Sequence, residues 1–513
     1  MIYPEKSIFL DKAETGKIVP IYKELSADCE TPVSAFLKFK DKYDYLYLLE
    51  SVEENAQIGR YSFIGIDVET KFTAKDKNVI IETNGIKKET TEESPLCILE
   101  SFTGSFKPIL DEDLPPFYGG AVGYVSYDTV KFFEKLSDIK KKGDINVSDL
   151  YFVFARHIII FDKLRNTMKI VCNTKIGDNL EDDYNKAINE LNKIEKILSE
   201  SSNIEQTNNK EQEHEIIFKS NTTKKEFMDM VEKGRQYIHD GDVFQVVLSQ
   251  RWELDKKVDS FDLYRNIRTL NPSPYMFYLK FDEVTLIGSS PEVMVKGNKH
   301  EIVVRPIAGT RPRGETVEQD LAKEKELLKD EKECAEHVML VDLGRNDVGR
   351  IADPGTVNVD EFKVIERYSH VMHIVSQVRG NVSDGAGLYD AFRAAFPAGT
   401  VTGAPKIRAM EIIEELEKSR RGPYAGAVAY IAYSGNFDSC ITIRTIVEHN
   451  NTLYFQAGAG IVADSDPLNE FNETLNKIKA LFIAAAETLG IKDPKIEEST
   501  DGKSIKLKKT IEP

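Results

Sequence analysis

Residues 332–347 of the chain read KECAEHVMLVDLGRND. From 334 to 343 this stretch is largely apolar and contains neither glycine nor proline, which predicts a buried helix. Spacings of three and four residues place Glu333, Glu336 and His337 on one face of that helix. A carboxylate on a buried helix is costly unless it is paired or binds a cation. The stretch therefore predicts either solvated charges at a helix edge or one wall of a cation site.

A second pair of glutamates, Glu470 and Glu473, has the same spacing. It lies on the predicted last helix, which begins at Asp466 and Pro467, an N-cap residue followed by a proline. Two helices that each carry E-x-x-E can bring four carboxylates together, which suits a hard cation such as Mg²⁺. Spacing alone leaves open the alternative of two unrelated surface pairs.

Length and charge limit the classes of function. The 513 residues provide room for two or more domains and a large core. The net charge of −17 argues against nucleic acid or an anionic membrane as a partner, because both need a basic face. A small anionic substrate remains possible if local cations or a metal bind it.

The cysteines predict a reducing compartment. There are five, they are scattered, and none belongs to a CxxC pair. The first residues lack the basic start and apolar core of a signal peptide, and no apolar run is long enough to span a bilayer. We therefore expect a cytoplasmic protein.

Composition divides the chain into four parts. Residues 1–199 form an N-terminal domain of alternating strands and helices, and the polar segment 200–220 is the predicted linker. A second domain, 221–491, opens with the capping box of Thr223 and Glu226. The charged tail 492–513 is predicted to be frayed.

Two segments carry further predictions of structure. The Gly-rich stretch 117–124 lacks the spacing of a phosphate loop, so it predicts close packing of backbones. Residues 424–461 predict a meander of three antiparallel strands. Lys406 near a helix start adds positive potential there, although a solvated lysine is the default.

Several longer strings are more specific than any single residue. They occur in unbroken order between about 215 and 490 and read SPE (290–292), RPIAGTRPRG (305–314), KECAEHVMLVDLGRNDVGR (332–350), HVMHIVS (370–376), FPAGTVTGAPK (396–406), GPYAGAVAY (422–430) and QAGAGIVADSDPLNEFNET (456–474). Together they resemble the chorismate-utilising enzyme family. The resemblance implies an α+β fold of large antiparallel sheets covered by helices, with two interwoven subdomains.

The resemblance also implies a metal site and a substrate site. Glu336 and Glu473 match Mg²⁺ ligands, with Glu333 and Glu470 in supporting positions. The implied substrate-binding residues are Ala308, Gly309, Thr310, Thr400, Tyr424, Arg444, Gly458, Ala459 and Gly460. Arg444 offers a bidentate fork to a carboxylate, and glycines let backbone N–H groups approach an anion.

Three implied catalytic residues remain. Glu292 matches the acid that protonates the departing hydroxyl, which requires a raised pKa. His373 matches the histidine of the second half-reaction, with His370 nearby, and Thr400 completes the set. Spacing alone does not separate the two histidines.

Two positions select among the members of the family. Members that form aminodeoxychorismate carry a nucleophilic lysine where this chain has Ala308, and members that form isochorismate or salicylate carry a water-activating lysine at the position of Gln245. Neither residue can take those roles, which implies ammonia as the nucleophile and anthranilate and pyruvate as products, formed through aminodeoxyisochorismate. The alternatives are a sister enzyme or a non-catalytic, tryptophan-binding regulatory protein.

The implied partners are a glutaminase and a feedback ligand. No cysteine has the Gly-flanked context of a glutaminase nucleophile, so a separate glutamine amidotransferase subunit is expected, in a heterotetramer of two large and two small subunits. The strings LLES (48–51) and GRYSFIG (59–65) match the members that tryptophan inhibits. The implied tryptophan-binding residues are Glu50, Ser51, Pro274, Tyr275 and Met276, with Glu50 pairing the ligand's ammonium group.

Overall fold

The computed structural model describes residues 2–51, 59–136, 145–200, 215–368 and 371–509. Antiparallel pairing links its strands into one continuous network, and helices cover the sheet faces. The helices are α1 (Lys6–Ala13), α2 (Pro32–Phe39), α3 (Pro95–Gly104), α4 (Leu180–Ser199), α5 (Lys224–His239), α6 (Ser260–Leu270), α7 (Val317–Lys329), α8 (Glu331–Gly349), α9 (Leu388–Ala395), α10 (Lys406–Leu416) and α11 (Pro467–Thr488). Short 3₁₀ helices span Tyr127–Phe132 and Gly399–Val401.

Strands of the N-terminal half alternate with those helices. They are β1 (Ile2–Tyr3), β2 (Ile18–Ser26), β3 (Leu46–Glu50), β4 (Tyr61–Lys75), β5 (Asn78–Thr83), β6 (Ile86–Thr91), β7 (Gly120–Val125), β8 (Leu150–Asp162) and β9 (Thr167–Lys175).

The remaining strands follow in the second half. They are β10 (Glu215–Ser220), β11 (Gln245–Asp255), β12 (Tyr275–Lys280), β13 (Thr285–Ser290), β14 (Val293–Gly297), β15 (Glu301–Val304), β16 (Ile307–Pro312), β17 (Asn358–Arg367), β18 (Val371–Asn381), β19 (Gly403–Ala404), β20 (Ala427–Ala432), β21 (Phe437–Ile441), β22 (Thr445–His449), β23 (Thr452–Ile461), β24 (Lys495–Glu498) and β25 (Ser504–Lys508).

The two halves are interwoven through shared ladders, as the resemblance implies. β3 pairs with β12, and β7 pairs with β20, so strands of the N-terminal half lie between strands of the second half. The glycines of 117–124 permit this packing. A Cβ on Gly120 would lie 2.0 Å from the Ile431 carbonyl oxygen, and one on Gly123 would lie 1.9 Å from that of Tyr151. The predicted close approach of backbones is confirmed.

The predicted three-strand meander is wrong in one detail, because 424–461 contains four strands. β21 pairs with β14 and β20, whereas β22 pairs with β13 and β23. The chain breaks between them at Arg444, which has a left-handed φ of 51°. A left-handed φ is strained for a residue with a side chain. At Arg444 this conformation turns the chain from the β21 ladder to the β22 ladder.

The tail is also more ordered than predicted. β25 pairs with β24 and with β10, and Ile505 and Leu507 are fully buried. Their partner, β10, occupies 215–220 at the end of the predicted linker, while 201–214 lies outside the described residues. A tail with two buried aliphatic side chains is part of the core rather than a frayed end.

Two helix starts follow the sequence closely. The Thr223 hydroxyl accepts from the Glu226 N–H while the Glu226 carboxylate accepts from the Thr223 N–H, which is the predicted capping box. At α11, Asp466 caps the Asn469 N–H ahead of Pro467. Within the part of the chain that the structure describes, no helix has both the length and the apolarity to cross a membrane.

Candidate active site

A cavity of about 600 Å³ lies between α8, α11 and the strands β11, β16, β18 and β23. Its volume is typical of a small-molecule site. Fourteen of the predicted site residues line it: Glu292, Ala308, Gly309, Thr310, Glu333, Glu336, His373, Thr400, Tyr424, Arg444, Gly458, Gly460, Glu470 and Glu473.

Ala459 is the predicted site residue that does not line the cavity. Side chains alternate along β23, so Gly458 and Gly460 face the cavity while Ala459 packs into the core beside Val246 and Ile461. His370 lies outside the described residues.

Helix α8 forms one wall. Asp330 caps it by accepting from the N–H groups of Lys332 and Glu333. Glu333 is 3.3 Å from the Arg311 guanidinium, whereas the one hydrogen-bond partner of the Glu336 carboxylate among the described residues is the Gln245 amide, at 3.4 Å. Burial raises the pKa of Glu336, and the charges of Glu333 and Glu473 raise it further.

His337 does not share that face, contrary to the sequence prediction. Its side chain is buried and its Nε2 lies 2.6 Å from Ser376 Oγ on β18, away from the cavity. Burial lowers its pKa to about 4, so the ring is neutral. Helix α8 packs against β18, so Glu336 faces the cavity while His337, the next residue, faces the sheet.

Helix α11 forms the facing wall and carries Glu470 and Glu473. Lys477, one turn further on, lies 2.5 Å from Glu473 and 3.0 Å from the Gly458 carbonyl oxygen. Lys477 was not predicted from the sequence, although its i+4 spacing from Glu473 was a usable signal.

The four glutamates have the donor chemistry of a hard-cation site. Among the described residues, no lysine or arginine nitrogen lies within 4.0 Å of Glu336 or Glu470, and no three of the four carboxylates have oxygens within 4.8 Å of one another. A site with few direct carboxylate ligands and room for water suits Mg²⁺. The unbalanced negative charge at Glu336 is what a cation would neutralise.

Arg444 provides the opposite charge. Its guanidinium donates to the Lys477 carbonyl oxygen, and within the described ranges no carboxylate lies within 4.0 Å of it. A Cβ on Gly458 would lie 2.9 Å from the Leu248 carbonyl oxygen and 3.0 Å from the Tyr424 hydroxyl. Glycine therefore lets β23 pass close to β11 and to the Tyr424 hydroxyl, and a cavity lined by Arg444 and these glycines suits a carboxylate ligand.

Glu292 lies between β13 and β14. Its backbone is fixed by the Ile441 N–H, which donates to the Glu292 carbonyl oxygen at 3.0 Å. Burial raises the pKa of its carboxyl to about 7, although the Thr400 hydroxyl and the charge of Lys477 act in the other direction. A protonated carboxyl in the wall of an anion site is suited to general acid catalysis.

His373 is held by a backbone acceptor. Its Nδ1 lies 3.0 Å from the Gly309 carbonyl oxygen, which can only accept, so Nδ1 carries the proton. Burial lowers the pKa of the ring. The neutral tautomer leaves Nε2 as a free acceptor, which is what a general base requires.

Gln245 has an unused acceptor at the cavity. Its side chain is buried, its Nε2 faces Glu336, and its Oε1 has no hydrogen-bond partner among the described residues. Gly460 makes room for it, because a Cβ there would lie 2.6 Å from Gln245 Nε2. The sequence identified this position but not its free carbonyl oxygen.

Lys406 is not the solvated lysine expected by default. It is buried, and its Nζ lies 2.9 Å from both carboxylate oxygens of Asp347. The ion pair joins the end of α8 to the start of α10. The pairing offsets the positive charge of Lys406, and Lys406 does not line the active-site cavity.

A second cavity of about 220 Å³ contains all five predicted tryptophan-binding residues, Glu50, Ser51, Pro274, Tyr275 and Met276. Glu50 is already paired: Arg268 lies 2.9 and 3.3 Å from its oxygens, and the Tyr264 hydroxyl donates to it at 2.7 Å. Asp438 also lines the cavity and accepts from the Tyr275 hydroxyl at 2.9 Å.

Known proteins resemble the chain over nearly its whole length. A family model described as chorismate binding enzyme matches residues 45–482. Anthranilate synthase component 1 of Aquifex aeolicus (strain VF5) is 47% identical over 475 residues, which cover 92% of this chain and 95% of that protein. The protein of the same name from Acetivibrio thermocellus is 44% identical over 496 residues, covering 95% and 99%.

A solved structure agrees with the sequence relatives. Anthranilate synthase component I from Streptococcus pneumoniae TIGR4 superposes with a TM-score of 0.74 at 34% identity, covering 89% of this chain and 98% of that one. The likeness therefore extends over most of this chain and nearly all of that one.

Proposed function

Because this chain belongs to the family of chorismate-binding enzymes, we propose that it catalyses the anthranilate synthase reaction, forming anthranilate and pyruvate from chorismate and ammonia. The relatives at 44–47% identity carry that name. The observation that carries the proposal is the pair Ala308 and Gln245, which both line the cavity. Ala308 cannot attack carbon and Gln245 cannot deprotonate water, whereas ammonia needs neither.

The charged walls of the cavity fit the substrate, a dicarboxylate. Arg444 binds one carboxylate through its guanidinium, helped by backbone N–H groups where the glycines of β23 let an anion approach. The four glutamates of α8 and α11 suit Mg²⁺, which supplies positive charge against the ring carboxylate when it is bound. Without a cation these glutamates would repel that carboxylate.

Two side chains perform the first step. Gln245 Oε1 accepts a hydrogen bond from ammonia and orients its lone pair toward the carbon next to the ring carboxylate. As that carbon–nitrogen bond forms, Glu292 protonates the hydroxyl that leaves from the far side of the ring. The product of this step is aminodeoxyisochorismate.

The second step removes pyruvate. His373 Nε2 takes the proton from the ring carbon that bears the new amine, and the enolpyruvyl group leaves as pyruvate after protonation. The ring becomes aromatic, which drives the elimination. The hydrogen bond from Nδ1 to the Gly309 carbonyl keeps the ring in the tautomer that can act as a base.

One assay tests the activity. Purified chain is incubated with chorismate, MgCl₂ and an ammonium salt at alkaline pH, and anthranilate fluorescence is followed. Unchanged chorismate would defeat the proposal, and isochorismate or salicylate would support a sister activity. Gln245→Lys should shift the product toward isochorismate, while Gln245→Ala, the matched control, should slow ammonia addition without that shift.

We further propose that the second cavity binds tryptophan and inhibits the enzyme. Aromatic side chains of Tyr61, Phe117 and Tyr430 line it, and Lys296 and Asp438 offer one charge of each sign to an amino acid. Since Glu50 is occupied by Arg268, Asp438 pairs the ligand's ammonium group instead.

Tryptophan titrations separate the two carboxylates. Asp438→Asn should weaken inhibition by tryptophan at least tenfold and leave uninhibited activity intact. Retained inhibition in Asp438→Asn would return that role to Glu50. Wild-type activity unchanged by millimolar tryptophan would reject the feedback site altogether.

A separate glutaminase subunit is the proposed source of ammonia. We expect a heterotetramer of two chains of each kind in the cytoplasm, where free thiols such as the five here are usual. Glutamine-dependent activity should require the added subunit, while ammonia-dependent activity should not. Sedimentation of the mixture measures the assembly.

A further inference from the structure

Glu292 lies in a wall between two cavities. Besides the active-site cavity it lines a smaller one of about 40 Å³, which is also lined by β14, β15, α8 and the loop that precedes Thr400. Leu340 and Thr400 also line both spaces. The mechanism above uses only the side of Glu292 that faces the substrate.

Asp347 also lines the small cavity. Its carboxylate is buried and receives Lys406 Nζ on both oxygens at 2.9 Å, and Lys406 also donates to the Ala395 carbonyl oxygen at 3.2 Å. Just beyond Asp347 the ion pair of Arg350 and Glu134, at 2.9 Å, reaches the surface, where the Arg350 side chain is 44% exposed. Asp347 therefore lines the cavity and is also close to an ion pair that reaches the surface.

The small cavity can hold water. A water needs roughly 10–15 Å³ of such space and two to four polar partners. The carboxyl groups of Glu292 and Asp347 and the Thr400 hydroxyl provide three polar groups in the lining. Water in this space would join the two carboxyl groups without entering the active site.

We propose that Asp347 returns a proton to Glu292 through water in this cavity after each turnover. Glu292 gives its proton to the departing hydroxyl, which leaves as water. Asp347 then passes a proton along the cavity to the Glu292 carboxylate and regains one from solvent past Arg350 and Glu134. No oxidant or further reactant is needed, and the proposal rests on the proposed function.

The proton affinities of the two groups suit this transfer. Burial raises the pKa of Asp347 to about 6, although Lys406 and Arg350 act to lower it and Glu134 to raise it. The pKa of Glu292, raised by burial, is about 7, with Thr400 and Lys477 facing it. A small difference between donor and acceptor lets a proton move in either direction.

The test compares one turnover with many. The double variant Asp347→Asn, Lys406→Met removes both charges of the buried pair, so neither is left unpaired. With enzyme in excess over chorismate at pH 6.5, where Glu292 starts protonated, its anthranilate formation should stay within about twofold of wild type. With substrate in excess, kcat should fall about tenfold and the solvent deuterium isotope effect on kcat should rise.

Damage to the fold would give a different pattern. If the double variant loses the same fraction of its rate with enzyme in excess as with substrate in excess, or if its kcat is unchanged, the relay is overturned. A wild-type protein that makes no anthranilate would overturn the proposed function itself. If the double variant does not fold, Ala398→Val fills the same cavity and leaves the ion pair in place. Ala398→Val should also keep its rate with enzyme in excess and lose kcat with substrate in excess. A wild-type kcat in this variant would also overturn the relay.

Discussion

Lys406 and Arg444 carry the same charge in opposite surroundings. Lys406 has both oxygens of Asp347, whereas Arg444 has no carboxylate within 4.0 Å among the described residues and faces the cavity. The sequence placed Arg444 at a carboxylate site through its resemblance to a family. It left Lys406 as a surface residue, because its partner is remote in the chain and no local pattern indicates the pairing.

Replacing Glu292 tests the proposed acid. Glu292→Gln should lower kcat by roughly 10²- to 10⁴-fold, since the amide cannot donate a proton to the leaving hydroxyl. Wild-type kcat/KM, measured at constant free ammonia, should fall as pH rises through about 7, because burial raises the pKa of Glu292 to about 7 and only the protonated form acts. A variant that keeps normal turnover would remove Glu292 from the mechanism.

Replacing His373 separates the two half-reactions. His373→Met removes the Nε2 base while filling a similar volume, so the variant should release aminodeoxyisochorismate in place of anthranilate. Chromatography of the products measures this. Thr310→Val, beside His373 Nδ1 at 3.1 Å, is the matched control and should still make anthranilate. Normal anthranilate output from His373→Met would assign the proton removal to another group.

At the scale of elements, spacing predicted the facing glutamates but not the packing around them. The E-x-x-E pairs of α8 and α11 do line one cavity. His337, one residue from Glu336, instead turns into the sheet toward Ser376. A residue at the edge of the cavity-facing side of a helix can point into the cavity or into the sheet. The position of β18 decides this for His337, and the sequence of α8 does not contain that position.

The two glutamates of α8 should differ in their effect on the metal. Glu336→Gln should weaken Mg²⁺ binding at least 10- to 100-fold by calorimetry. It should also raise the unfolding temperature without Mg²⁺, because it removes a half-buried charge that has no cationic partner within 4.0 Å among the described residues. Glu333→Gln, whose partner is Arg311 at 3.3 Å, should weaken binding less. The opposite order would make Glu333 the direct ligand.

At the scale of the whole molecule, the resemblance predicted the α+β fold and its interwoven halves, but composition misjudged the tail. Residues 492–513 are rich in charge, which is typical of a frayed end. Side chains nevertheless alternate between the two faces of β25, which buries Ile505 and Leu507 where the strand pairs with β10. Two apolar side chains in five residues are too few to predict a strand in a charged sequence.

Deleting β25 measures what the tail contributes. A chain that ends at Glu498 loses two buried aliphatic side chains, each worth roughly 2–5 kcal/mol by analogy with large-to-small core substitutions. The urea midpoint should therefore fall clearly, while a chain that ends at Lys508 should match the full-length protein. Equal midpoints for the two truncated chains would show that β25 contributes no stability.

The ladder between β12 and β13 has a thermodynamic consequence. Tyr275, in the second cavity, pairs directly with Ser290, two residues before Glu292 in the active site. If tryptophan weakens chorismate binding through this contact, linkage requires chorismate to weaken tryptophan binding by the same factor. Each molecule is then an equal antagonist of the other, and the concentration of chorismate sets how much tryptophan is needed to inhibit.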